Sequence, residues 1–136
     1  METIEREILS KLSLFYMQVK RKLNSSELPE GLTITDFMVL NSLMNGKKTM
    51  VEISKEINVT QSSITLSISK LEEKDIVKRI RYPTDRRITF VEITDKGKEV
   101  VSSCQNKLNV VLLECIGNLS HAEKRNLLEI LKKLNC

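Results

Sequence analysis

The stretch from Thr60 to Gly97 constrains this chain more than any other. Placed at 100° per residue, Ile64, Ile68 and Leu71 fall in one narrow arc, so residues 60–74 read as a helix with a single core stripe. Val77–Tyr82 and Ile88–Ile93 then alternate as two strands around a segment containing Pro83 and Asp85, a hairpin signal with a loop longer than two residues. Thr94 follows at once, in position to cap a long helix from Asp95 to about Ile116. A short helix delivering its chain straight into a hairpin, and the hairpin into a long helix, leaves few architectures open.

The flanking segments are helical. Ile4, Ile8, Leu12, Phe15, Val19 and Leu23 recur at three- and four-residue steps, an apolar stripe on a first helix that Leu28-Pro29-Glu30-Gly31 breaks. A second helix is expected from about Thr35 to Asn45, with Phe37, Leu40, Leu43 and Met44 on its apolar side and Gly46 as its stop. Thr49-Met50-Val51-Glu52 has the form of a capping box for a short helix through Ile57, Asn58-Val59 makes a turn, and Thr60 caps the next helix. Gly117-Asn118 stops the long helix, and Ser120-His121-Ala122-Glu123 opens a last one lined by Leu127, Leu128, Ile130, Leu131 and Leu134.

The expected fold is mainly α with a small β-hairpin (α+β): one domain over residues 1–136, with a helix-turn-helix and hairpin lobe at 33–97 and terminal helical regions at 1–30 and 98–136. Those terminal helices are too apolar along one side to stay bare. Val100, Val101, Cys104, Leu108, Val111, Leu112 and Cys115 could bury against them within one chain or across a two-fold axis.

Bulk properties narrow the class. No run approaches the roughly 18 apolar residues of a membrane span, and the acidic, amphipathic start Met-Glu-Thr-Ile-Glu-Arg-Glu is unlike a secretory signal. Three irregularly spaced cysteines make no disulfide framework. A cytoplasmic location is expected, with no membrane partner. The net charge of +4 is concentrated: residues 46–98 hold twelve Lys/Arg against eight Asp/Glu, while the flanking regions carry −1 and +1. Between Lys78 and Arg87, five of ten residues are basic and one is acidic, the footprint expected of a nucleic-acid site. A solvated charged hairpin would share it, so charge alone does not decide between them.

Opposite the core stripe of the 60–74 helix fall Ser62, Ser63, Thr65, Leu66, Ser69 and Lys70, with Gln61 near the helix start. A purely solvated face would carry more Glu and Lys; this one has a single charge, Lys70, and no acid. Hydroxyls can meet base edges or phosphates, Lys70 a phosphate or a guanine, Gln61 a phosphate or an adenine, and Leu66 a thymine methyl. With Arg79, Arg81, Asp85, Arg86 and Arg87 on the hairpin, the pattern reads as a winged helix-turn-helix for double-stranded DNA.

From Leu71 to Gly97 the chain resembles the MarR family of bacterial transcription regulators. The likeness rests on the Leu71-Glu72-Glu73-Lys74 run, the Asp-x-Arg of Asp85 and Arg87, and the aliphatic-Thr-x-x-Gly pattern of Ile93, Thr94 and Gly97; more loosely it extends over 4–134. Asp75 stands where the family most often has Gly, a position favouring left-handed backbone, which Asp tolerates better than most residues. The resemblance implies a homodimer held by the terminal helices, a repressor on an inverted-repeat operator with half-sites about 10 bp apart. It also implies a recognition helix (60–74) in the major groove and a wing (78–93) in the minor groove, with Asp85 orienting Arg87, and Arg87 or Arg86 entering that groove. Finally, it implies a small-molecule effector pocket between dimer helices and lobe, for which Phe15, Tyr16, Val19, Phe37, Met38 and Leu108 are the candidates, Tyr16 as polar handle.

Other chemistry finds little support. One histidine, His121, in a capping sequence cannot build a tetrahedral metal shell, so neither metal nor cofactor is expected. No nucleophile–base pair or Gly-rich phosphate loop suggests an enzyme. Peroxide-sensing relatives carry a reactive cysteine in the first helix, whereas here none precedes Cys104; Cys104 and Cys115 on an apolar helix read first as small hydrophobes, with thiol control through them the minority reading, and Cys136 as an adventitious cross-linker. The principal rival to DNA is a protein partner on the same surface, which would want aromatic anchors that this face lacks.

Overall fold

The computed structural model of the chain describes residues 2–25 and 28–135, and of Arg86 the backbone alone. Along the chain run α1 (Thr3–Ser25), a 3₁₀ turn (Pro29–Gly31), α2 (Ile34–Ser42), β1 (Lys48–Thr49), α3 (Met50–Ile57), α4 (Gln61–Glu73), β2 (Val77–Tyr82), β3 (Asp85–Ile93), α5 (Asp95–Ile116) and α6 (His121–Lys133). The mainly α fold with a small antiparallel sheet is as expected. The elements gather into two compact units, residues 27–105 and residues 1–26 with 106–136. Cys136 lies outside the described residues.

Helix boundaries follow from local chemistry. Thr33 with Asp36, Thr49 with Glu52, and Ser120 with Glu123 form reciprocal capping boxes, satisfying two otherwise orphaned N–H groups each. Asn58 ends α3 in left-handed backbone (φ 56°), and Asp75 takes the same conformation (φ 59°) after α4, as its small polar side chain allows. The second helix stops at Ser42, short of the expected Asn45, because the chain tightens into a turn before Gly46 (φ 134°). At the start of α5, Thr94 Oγ1 accepts from the Gly97 N–H at 3.0 Å and shares its own proton between the carbonyls of Asp75 (2.7 Å) and Ile76 (3.0 Å). Gly97 is dictated by that closeness, since a Cβ there would sit 2.3 Å from the Ile76 carbonyl oxygen.

The sheet has the order β1-β3-β2, all antiparallel. Two of its features depart from the sequence reading. The two-residue β1, paired with Val91 and Phe90, is too short to carry a periodicity signal. The hairpin loop is shorter than expected: Tyr82 pairs with Asp85 across Pro83-Thr84 alone, and the register then shifts, because Arg81 pairs with Thr89. The extra length that had suggested a longer loop is taken up as a bulge in β3, carrying Arg86, Arg87 and Ile88 between the two registers. A bulge bends its strand and re-aims side chains.

The core of the 27–105 unit is formed by Val39 and Leu40 from α2 and Leu43 at its C-cap, Ile53 from α3, Ile64, Ile68 and Leu71 from α4, and Ile76, Val77 and Val91 from the sheet region, all at 2% exposure or less. Phe37 and Met44, assigned to the buried side of α2, are half-buried and exposed, and Val39 takes their place because the shorter helix turns a different arc inward. Val100, Val101 and Cys104 are also buried in the single chain, whereas Leu112 is 48% exposed. In the other unit α1 and α6 contain no buried residue; a Lys22–Glu114 ion pair of 2.8 Å ties α1 to α5.

Candidate nucleic-acid interface

Burial sorts α4 into two faces. Ile64, Ser67, Ile68 and Leu71 turn inward, while Gln61, Ser62, Ser63, Thr65 and Leu66 are exposed, Leu66 by 74%. Thr60 orders the leading edge of the exposed face: its Oγ1 accepts from the Ser63 N–H at 3.3 Å and lies 3.2 Å from Ser62 Oγ.

Lys70 differs from the reading that set it on the outward face. Its Nζ reaches Asp36 at 2.6 Å and the Gly31 carbonyl at 3.4 Å, because four methylenes let it fold back over the helix end toward a carboxylate that needs a partner. Asp36 is 3% exposed and accepts from Ser67 Oγ at 2.6 Å and from the Thr33 N–H at 2.9 Å as well. Burial alone would push this carboxyl up, but the hydrogen bonds from Lys70, Ser67 and Thr33, with the Lys70 charge, outweigh it and hold the group below the usual carboxylate range. This α2–α4 link was missed in the sequence, where Thr33-x-x-Asp36 carries a signal for the cap of α2 but none for its distant partner.

On the wing, Arg87 grips Asp85 with two parallel bonds, Nε to Oδ1 at 3.1 Å and Nη2 to Oδ2 at 3.2 Å, and its backbone N–H donates to Oδ1 at 3.0 Å. That guanidinium, then the N–H, lowers the Asp85 pKa below the ordinary value. The Arg87 side chain is nonetheless 91% exposed, so it is oriented without being covered. Arg79 donates to Ser69 Oγ at 3.0 Å and lies 3.8 Å from Glu72, bracing β2 against α4. Arg81 is exposed, and the side chain of Arg86 lies outside the described residues.

These elements enclose a concave groove of about 510 Å³. Thr49, Met50 and Val51 from the start of α3, Gln61 and Thr65 from α4, and Arg79, Arg81, Arg87, Ile88 and Thr89 from the sheet line it. Arg79, Arg81 and Arg87 are among these lining residues and no carboxylate is. Glu72 and Asp85 stand beside Arg79 and Arg87, so the groove offers guanidiniums that are already oriented and can be shared with phosphate oxygens. Met50, Val51, Ile88 and Thr89 were not singled out in the sequence, since only the pairing of β3 with α3's leading strand brings them there.

The effector-pocket candidates divide between the two units. Phe15 (39% exposed), Tyr16 (61% exposed, with Lys20 Nζ 5.8 Å from its ring centre) and the half-buried Val19 and Leu108 lie in one; the half-buried Phe37 and exposed Met38 lie in the other. His121 is exposed, its Nε2 3.1 Å from Arg125. Among the described residues no cluster of three His, Cys, Asp or Glu could hold a metal ion, and no helix is long and apolar enough to cross a membrane. Cys104 is buried and Cys115 half-buried.

Known proteins share this layout. The family described as "Transcriptional regulator SarA/Rot" matches residues 21–104. The HTH-type transcriptional regulator MhqR of Bacillus subtilis is 33% identical over 124 residues, 90% of this chain and 86% of that protein. YdgJ of the same organism, an HTH-type transcriptional regulator, is 32% identical over 83 residues, so the match covers 61% of this chain and about half, 51%, of that relative. A mutant MarR from E. coli, crystallised in complex with operator DNA, superposes with a TM-score of 0.78 at 27% identity, covering 98% of both chains. The chain belongs to the SarA/Rot transcriptional regulators, DNA-binding winged helix-turn-helix proteins of the MarR kind.

Proposed function

We propose that this regulator is a cytoplasmic homodimer that represses transcription by gripping an inverted-repeat operator, one lobe per half-site. In each lobe α4 enters the major groove, and the wing runs Arg79, Arg81, Arg86 and Arg87 along the backbone toward the adjacent minor groove. The observation that carries this reading is the exposed Gln61–Leu66 face standing beside a groove lined by three guanidiniums. Dimerisation is supported by α1 and α6, whose Ile4, Ile8, Leu12, Leu128, Ile130 and Leu131 are each more than half exposed in the single chain. Contiguous apolar surface of that kind marks an interface. A two-fold dimer places half-sites about 10 bp apart, one duplex turn.

The test is binding to the DNA upstream of the chain's own gene, titrated at several salt concentrations beside a scrambled duplex of equal length. Protection of an inverted repeat, with affinity well above the scrambled control, is the expected result. Weak binding that is equal on both duplexes and vanishes with salt would reduce the interaction to phosphate attraction and bring a protein partner on this face forward.

A further inference from the structure

We infer that Leu66 is the principal base-reading side chain of the recognition helix, acting by apolar contact with thymine methyl groups. The inference rests on the reading that α4 lies in the major groove. At 100° per residue Leu66 stands about 200° round the helix from Ile64, the fully buried middle of the core stripe. It therefore occupies the crest, the part of the helix that meets the floor of a groove first. At 74% it is also the most exposed of the large hydrophobic side chains described.

Its polar neighbours other than Gln61 are already engaged within the protein. Thr65 Oγ1 donates its one proton to the Gln61 carbonyl at 2.9 Å. Ser62 and Ser63 are drawn to Thr60 Oγ1 at 3.2 and 3.1 Å, Ser69 accepts from Arg79 at 3.0 Å, and Lys70 is held by Asp36 at 2.6 Å. Ser63 and Ser69 accept in these contacts and keep their own protons, but a rotor already turned toward a partner discriminates poorly between base edges. Leu66 needs only a methyl within reach, and thymine alone presents one in the major groove. Against a G·C pair the same side chain would cover polar edges and return no hydrogen bond, which is unfavourable. Leu66 thus selects for thymine and against polar edges at once.

The experiment begins with a duplex recovered by repeated selection with the full-length protein from a random double-stranded pool. That duplex is remade with uracil replacing thymine one position at a time, which removes the C5 methyl and leaves pairing and the O4 acceptor intact. At one or two thymines per half-site, uracil should weaken wild-type binding about three- to five-fold, the effect of one buried methyl. Leu66→Ala, a surface change confirmed as folded by circular dichroism, should bind the thymine and uracil duplexes equally. Indifference of the wild type to every uracil, or a thymine preference kept by Leu66→Ala, overturns the inference. A parallel set carrying 7-deazapurines, which lack the major-groove N7 acceptor, separates the two levels of failure. If these weaken binding and uracil does not, only the role of Leu66 falls; if neither matters, the groove reading falls with it.

Discussion

In the unit of residues 27–105, side chains from three helices and the sheet reach 2% exposure or less, and the buried carboxylate of Asp36 accepts three hydrogen bonds. In α1 and α6 no residue is buried, although both helices carry apolar stripes as regular as that of α4. Periodicity is therefore not what separates the two regions. The lobe closes its core with its own elements, while α1 and α6 leave their apolar side chains exposed in the single chain, the surface that the proposed dimer would cover. One region completes its burial within the chain, and in the other α1 and α6 do not.

The sharpest attempt to break that contrast is Leu12→Glu combined with Leu131→Glu. These side chains are 53% and 51% exposed in one chain, so the protomer should stay folded while self-association weakens roughly hundredfold or more, read by sedimentation velocity. A variant that still sediments as a dimer would remove α1 and α6 from the interface, and a wild type that sediments as a monomer would remove the dimer. Ile68→Ala probes the other side: fully buried, it should destabilise the lobe by about 2–5 kcal/mol in chemical denaturation. A loss below about 1 kcal/mol would mean the lobe core is no better formed than the terminal faces.

Asp36→Asn removes the charged centre of the α2–α4 link and should lower stability by about 1–2 kcal/mol at neutral pH. Because the folded Asp36 carboxyl titrates below its unfolded value of about 3.9, its contribution is complete well above that value. It fades as pH falls through the depressed folded value. The gap between wild type and Asp36→Asn should accordingly hold from pH 7 to about 5 and close in stronger acid, measured by thermal melts across that range; a gap that widens toward low pH contradicts the ionised carboxylate as its source. The smallest effect is Arg87→Ala, which should reduce the salt slope of operator binding by about one unit. An unchanged slope would detach the wing from the phosphates.

Much of this was legible in the sequence because local chemistry decided it. The caps at Thr49, Thr60, Thr94 and Ser120, the left-handed Asp75 and the extent of β2 all follow from residues within one helical turn or one strand. What was not legible depends on distant partners. The strand Lys48–Thr49 exists only because Val91 and Phe90 lie beside it. The bulge at Arg86–Ile88 records a register choice between two strands, to which spacing is blind. The Lys70–Asp36 pair was not legible because helical geometry gives the direction of Cα–Cβ but not where a flexible ammonium finds its carboxylate, here 34 residues away in sequence.

The wing's ion pairs carry a kinetic consequence. Among the described side chains of the wing, Lys78 lies 3.5 Å from Glu92, Arg79 3.8 Å from Glu72, and Arg87 3.1 Å from Asp85. From a distance a duplex meets dipoles there rather than bare charges, so the wing does less to draw DNA in than its composition implies. At contact those same arginines already point in fixed directions, with little rotational freedom left to lose. Encounter should then be unhurried and only mildly sensitive to ionic strength, and the lifetime of the bound state should be what distinguishes an operator from the rest of the chromosome.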